Sequence, residues 1–162
     1  MTIAPAVSPS TRYLLDANIL LRRIEAAHPH HAIALQAVRD LLTTGQELFV
    51  APQSLYEFWT VATRPLPVNG LGLSTDEAVQ DVTRIESLFT LLPDETGVYQ
   101  QWRRLVETYS VQGKPAHDAR LVAFMLTHGI THLLTFNGSD FGRYTSEGIT
   151  VVDPAQVSAP TP

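Results

Sequence analysis

Four acidic residues stand at the edges of apolar runs in this sequence, each in a different segment: Asp16, Glu57, Asp118 and Asp140. Apolar runs form buried strands and helices, so acids at their edges are expected to converge rather than scatter over the surface. Clustered carboxylates repel one another, and a fold keeps such a cluster ionised only when a cation occupies it. The pattern therefore predicts a site for a hard divalent metal ion and, with it, cleavage of phosphodiester bonds.

Phosphodiester hydrolysis needs an activated water molecule, neutralisation of the phosphoryl oxygens and help for the leaving oxygen, and bound Mg²⁺ can supply all three. Because Mg²⁺ prefers oxygen ligands and keeps several waters, one or two direct carboxylates per ion suffice. We expect Asp16 and Asp118 to be the most direct ligands, and Glu57 to be a ligand or to activate the attacking water. Asp140 would complete a weaker second metal position or act through water. Polar side chains expected to orient these carboxylates are Asn18, Thr135, Asn137 and Ser139.

The segments that must position these acids alternate between strand and helix. Short apolar runs predict strands at 12–16, 47–51, 91–92, 130–136 and 149–152. Helical spacing, capping residues and proline or glycine signals predict helices at 17–24, 32–42, from 52 onward, 74–89, 96–109 and 115–128. This alternation, with strands too apolar to face water on one side, predicts a three-layer α/β/α fold with a short central parallel sheet flanked by helices.

Such a sheet gives the acids a common meeting place, because ligands of open parallel sheets bind outside the carboxyl ends of the strands. Asp16 ends the first predicted strand, and Asp140 lies just beyond the fourth. Glu57 is about a turn and a half into the helix after the second strand, and Asp118 lies in the first turn of its own helix. All four are thus expected at one rim of the sheet.

Each acid also has a purely structural interpretation. Asp16 could cap the helix that follows it, and Asp118 could simply favour the positive end of its helix. Glu57 could be an ordinary solvated acid, and Asp140 stands in an Asn-Gly-Ser-Asp run that turn chemistry alone would explain. The joint pattern of four acids is much stronger than any one of them, and it favours the metal site.

Length and composition predict a single domain at residues 12–154, between loose ends at 1–11 and 155–162. The absence of cysteine excludes disulfides, thiolate metal sites and cysteine nucleophiles. Apolar stretches are too short for a membrane span and the first residues lack the features of a signal peptide, so we expect a cytoplasmic protein. The net charge of −5 argues against a surface built for non-specific nucleic-acid binding, less so if clustered carboxylates and their metal account for part of it.

Four segments in order, at 13–21, 52–58, 117–123 and 133–141, resemble the PIN-domain nucleases, most nearly the VapC-type toxins of prokaryotic toxin–antitoxin pairs. The resemblance runs from about residue 12 to residue 154. It implies an endoribonuclease that depends on Mg²⁺ or Mn²⁺, acts on an RNA substrate, forms a homodimer and has a cognate antitoxin protein as its partner. It also implies that the acidic site consists of the same four carboxylates, with Thr135 and Asn137 as polar neighbours.

Two other functions fit parts of the pattern. A phosphatase of the haloacid dehalogenase type also has an aspartate after its first strand, but it needs a second aspartate two residues later, where this sequence has Asn18. A non-catalytic interaction module could keep the fold without the chemistry. Such a module would tolerate the loss of an acid, and none of the four is missing.

Overall fold

A five-stranded, wholly parallel sheet forms the centre of the computed structural model, which describes residues 9–157. Its strand order is β3-β2-β1-β4-β5. The strands are β1 (Arg12–Leu15), β2 (Glu47–Val50), β3 (Thr90–Leu91), β4 (His132–Leu134) and β5 (Thr150–Val152). The predicted parallel sheet is therefore confirmed. Residues 1–8 and 158–162, in the predicted loose ends, lie outside the described residues.

Within residues 9–157, six α-helices connect and cover these strands, and their positions agree with the predicted helices. They are α1 (Ala17–Ile24), α2 (His31–Thr43), α3 (Pro52–Thr63), α4 (Thr75–Leu88), α5 (Thr96–Thr108) and α6 (Ala116–His128). Sequence signals explain several of their ends. Pro52 opens α3 where a missing N–H costs nothing, and Ser74 caps α4 in a reciprocal capping box with Glu77. Gly129, at φ +65°, ends α6.

The three layers follow from the alternation of side chains along the strands. Successive strand residues point to opposite faces of a sheet, so Leu14 and Leu133 enter one core, whereas Leu15 and Leu134 enter the other. Helices α5 and α6 pack on the first face, and α1, α2, α3 and α4 contribute to the second. Both faces of the sheet are thus buried, which confirms the α/β/α fold class.

Three 3-10 segments were not predicted as helical: Leu66–Val68, Gly138–Glu147 and Pro154–Gln156. The longest follows β4, and its Phe141 and Tyr144 are buried in the core that α6 also enters. The last lies beside α2 and overlaps the end of the predicted domain. None of the helices within residues 9–157 is long and apolar enough to span a membrane.

Candidate active site

Asp16 lies at the carboxyl end of β1, the central strand of the sheet, and is only 8% exposed. Its backbone N–H donates to the Leu134 carbonyl at 3.1 Å, which extends the pairing with β4. Its Oδ1 accepts the Ala17 N–H at 2.7 Å, so the residue caps α1. Its Oδ2 accepts the Thr135 hydroxyl at 2.8 Å and the Asn18 amide at 3.3 Å. These bonds fix the orientation of a buried carboxylate at the rim of the sheet.

The electrostatic setting of Asp16 disfavours its ionised form. Burial raises the pKa of Asp16 to about 6, and the hydrogen bonds from Thr135 and Ala17 offset only part of this effect. The negative charges of Glu57 and Asp118 contribute to the same rise in pKa. The carboxylates of Glu57 and Asp118 are therefore close enough to repel that of Asp16.

Thr135 is the centre of the hydrogen-bond network beside Asp16. Its side chain is fully buried, and its Oγ1 accepts the Asn18 amide at 3.1 Å and the Asn137 backbone N–H at 3.0 Å while donating to Asp16. The Asn18 Oδ1 in turn accepts the Phe136 N–H at 3.3 Å. The start of α1 and the loop after β4 are thus bonded together around the Asp16 carboxylate.

Glu57 is half-buried on α3, and its carboxylate is bonded to the residue one helical turn before it. The Gln53 Nε2 donates to the Glu57 Oε1 at 3.0 Å, and the same nitrogen donates to the His117 carbonyl at 2.7 Å. The Gln53 Oε1 accepts from Arg120 at 3.1 Å. Gln53 was not among the predicted site residues, although a glutamine four positions before a glutamate on one helix is a recognisable signal.

Asp118 is half-buried in the first turn of α6. Burial raises the pKa of Asp118, and the charges of Asp140 and Glu57 raise it further, while His117 and Lys114 lower it. Asp118 thus lies within electrostatic range of carboxylates on two other segments.

Asp140 and Ser139 are exposed at the start of the Gly138–Glu147 segment. Within residues 9–157, the side chains of Asn137, Ser139 and Asp140 make no hydrogen bond, and Asn137 contributes to the site through its backbone N–H alone. Of the four predicted polar neighbours, Asn18 and Thr135 are therefore the two whose side chains touch a carboxylate of the site.

The donor set fits a hard divalent cation. Within residues 9–157, none of the four acids forms an ion pair with an Arg, Lys or His side chain. Carboxylate oxygens are the ligands that Mg²⁺ and Mn²⁺ prefer. The carboxylates lie within electrostatic range but do not converge on one point: no three His, Asp or Glu side chains of the described chain could hold one ion as placed. An ion bound by three of them would require these side chains to move closer together.

Comparison with known proteins identifies the fold and its relatives. The PIN domain family model matches residues 13–146. Ribonuclease VapC48 of Mycobacterium tuberculosis is 28% identical in an alignment 148 residues long, which covers 86% of this chain and 94% of that protein.

Many solved structures share the fold, including the following two. Mycobacterium tuberculosis VapC20, a sarcin–ricin loop cleaving toxin, superposes with a TM-score of 0.61 at 18% identity, over 85% of this chain and 96% of that one. A toxin–antitoxin complex from Klebsiella pneumoniae superposes with a TM-score of 0.59 at 20% identity, over 88% of this chain and 97% of that one. This chain belongs to the PIN-domain family and is distantly similar to the VapC ribonuclease toxins.

Proposed function

We propose that this protein is an endoribonuclease that depends on Mg²⁺ or Mn²⁺ and serves as the toxin of a toxin–antitoxin pair. The observation that carries the proposal is the group of four carboxylates beside the carboxyl ends of β1 and β4, which have no ion-pair partners within residues 9–157, in a PIN-domain chain. Cleavage of RNA is supported by the 28% identical relative, which is a ribonuclease, VapC48. The presence of a toxin–antitoxin complex among the structures with this fold supports the biological role.

The proposed roles follow from burial and bonding. Asp16 and Asp118 would be the most direct metal ligands, Glu57 a ligand or the group that orients the attacking water, and Asp140 a weaker or water-mediated ligand. A divalent cation held there supplies activation of water and neutralisation of the phosphoryl oxygens. Thr135 orients Asp16, since its hydroxyl donates to the carboxylate and is itself held by two N–H donors.

Two basic side chains lie beside Asp118 despite the acidic net charge of the chain. Lys114 and His117 are exposed and lie close enough to Asp118 to lower its pKa. Within the described residues neither side chain forms an ion pair, so both can attract the phosphates of an RNA strand next to the acids. RNA binding would thus rest on local charge rather than on a basic surface.

The partners belong to the same proposal. A cognate antitoxin would bind and restrain the nuclease, and the toxin–antitoxin complex with this fold supports such a partner. The proposed homodimer and cytoplasmic location rest on the resemblance to VapC-type toxins and on composition.

A phosphatase reaction of the haloacid dehalogenase type has weaker support. The general acid of such a phosphatase would have to be the residue at position 18, but this residue is an asparagine, which is not an acid. The Asn18 amide instead donates to Asp16 and Thr135.

The test is cleavage of a labelled total-RNA preparation by the purified protein with Mg²⁺, with Mn²⁺ and with EDTA. We expect discrete fragments with either metal and none with EDTA or with Asp16→Asn. Asp40→Asn is a matched control, since Asp40 is also 8% exposed but lies on α2 and bonds Gln36. It should cleave as the wild type does. Cleavage that survives in EDTA or in Asp16→Asn would contradict the proposal, as would the absence of cleavage with both metals.

A further inference from the structure

Gln53 is an uncharged side chain that bonds Glu57 and the backbone next to Asp118, and both of its polar atoms have hydrogen-bond partners. It is 8% exposed, as buried as Asp16. Its Nε2 donates to the Glu57 Oε1 at 3.0 Å and to the His117 carbonyl at 2.7 Å, and its Oε1 accepts from Arg120 at 3.1 Å. Because the Nε2 faces two acceptors and the Oε1 faces the Arg120 cation, only one orientation of the Gln53 amide satisfies all three bonds.

These bonds join the two helices that carry Glu57 and Asp118. The bond to Glu57 stays within α3, whereas the bond to the His117 carbonyl reaches the first turn of α6, one residue before Asp118. One nitrogen therefore holds a carboxylate and the backbone that presents another carboxylate. It occupies only Oε1 of Glu57 and leaves Oε2 free of described hydrogen bonds.

The Oε1 of Gln53 bonds the Arg120 guanidinium, which therefore does not pair directly with Glu57. Arg120 pairs with Asp94 at 3.0 Å and donates to Gln53, rather than pairing with Glu57. A direct Arg–Glu pair would neutralise a carboxylate that the metal needs. An amide between them transmits a hydrogen bond and leaves the negative charge of Glu57 in place.

We propose that Gln53 is a positioning residue of the metal site, which fixes Glu57 and the Asp118 turn of α6 relative to each other, so that their carboxylates can close on the ion. This inference rests on the proposed function. Outer partners that orient metal ligands typically change metal affinity by about 10- to 100-fold when they are removed. A residue that only filled space in α3 would change stability without changing metal affinity.

The experiment is a calorimetric titration of each protein with Mn²⁺ in the absence of RNA, followed by measurement of kcat and KM for RNA. Gln53→Met keeps the length of the side chain and removes all three bonds. Gln53→Asn keeps an amide but is one methylene too short to reach both partners. The matched control is Gln36→Met on α2, since Gln36 donates to Asp40 at 2.7 Å with the same spacing of four residues.

We expect both Gln53 variants to weaken Mn²⁺ binding about tenfold or more and to lower kcat, while KM for RNA stays within about twofold. Gln36→Met should bind Mn²⁺ as the wild type does. A folded Gln53 variant with wild-type Mn²⁺ affinity would overturn the inference, and Gln53→Asn provides this test if Gln53→Met fails to fold. Failure of the wild type itself to bind Mn²⁺ would instead overturn the proposed function.

Discussion

Replacing Asp16 by asparagine should make the metal-free protein more stable at pH 7, although it removes a proposed metal ligand. Burial, with a contribution from neighbouring acids, raises the pKa of Asp16 from its ordinary 3.8 to about 6. Each pH unit between these values corresponds to about 1.4 kcal/mol, so ionisation of this carboxyl costs the folded chain about 3 kcal/mol. Asparagine has no charge and avoids that cost.

Lost hydrogen bonding offsets part of the gain. The Asp16 carboxylate accepts the Ala17 N–H on one oxygen and the Thr135 hydroxyl on the other. An asparagine side chain has only one oxygen, so one of these bonds is lost, at a cost of about 1 kcal/mol. We therefore expect Asp16→Asn to raise the free energy of unfolding by about 2 kcal/mol at pH 7 in EDTA.

The sign of the pH dependence provides the internal control. A carboxyl whose pKa is raised in the folded state contributes full stability below its unfolded pKa of 3.8, and this contribution is lost as the pH rises through about 6. The advantage of Asp16→Asn should therefore shrink as the pH falls from 7 towards 4, and should be constant above about pH 7.

Urea denaturation at several pH values in EDTA measures this difference, and addition of Mn²⁺ should reverse it. The metal stabilises the folded protein by RT ln(1 + [Mn²⁺]/Kd), and Asp16→Asn would bind it more weakly. The reasoning would be refuted if Asp16→Asn were less stable than the wild type at pH 7 in EDTA. A stability difference that did not change between pH 4 and pH 7 would refute it equally.

Four further substitutions test packing and capping, each by urea denaturation. Tyr144→Phe should raise the free energy of unfolding by about 1 kcal/mol, because the buried Tyr144 hydroxyl has no hydrogen-bond partner in the described chain; a loss of stability would contradict this. Gly70→Ala should cost several kcal/mol or prevent folding, since a Cβ there would lie 1.8 Å from the Arg64 carbonyl oxygen, whereas Gly142→Ala meets open space and should be tolerated. Ser74→Ala should cost about 1 kcal/mol by removing the cap of α4, and an unchanged midpoint would count against the capping box.

The sequence was sufficient to predict the strands and α-helices of the described residues because these elements depend on local signals. Apolar runs of four or five residues indicate buried parallel strands, and an acid directly after such a run, as with Asp16, must lie at the sheet edge. Helix starts at Pro52 and Ser74 were equally clear, because proline and a capping box act within one turn.

Features that depend on tertiary contacts could not be predicted in the same way. The Asn-Gly-Ser-Asp run indicated a turn after β4, but the ten-residue 3-10 segment that follows is held by burial of Phe141 and Tyr144 against α6. Gln53 shows the same limit. Its bond to Glu57 spans four residues, whereas its partners His117 and Arg120 lie 64 and 67 positions away and meet it only in the folded chain.

The most direct test of the metal site is a crystal of the wild-type protein soaked in Mn²⁺ and measured at a wavelength where manganese scatters anomalously. We predict an anomalous peak bonded to carboxylate oxygens of Asp16 and Asp118, with Glu57 bonded directly or through water, and no such peak in Asp16→Asn crystals. A Mn²⁺ peak elsewhere, or none beside Asp16 at a concentration that supports RNA cleavage, would contradict the assignment of these carboxylates as the catalytic metal site.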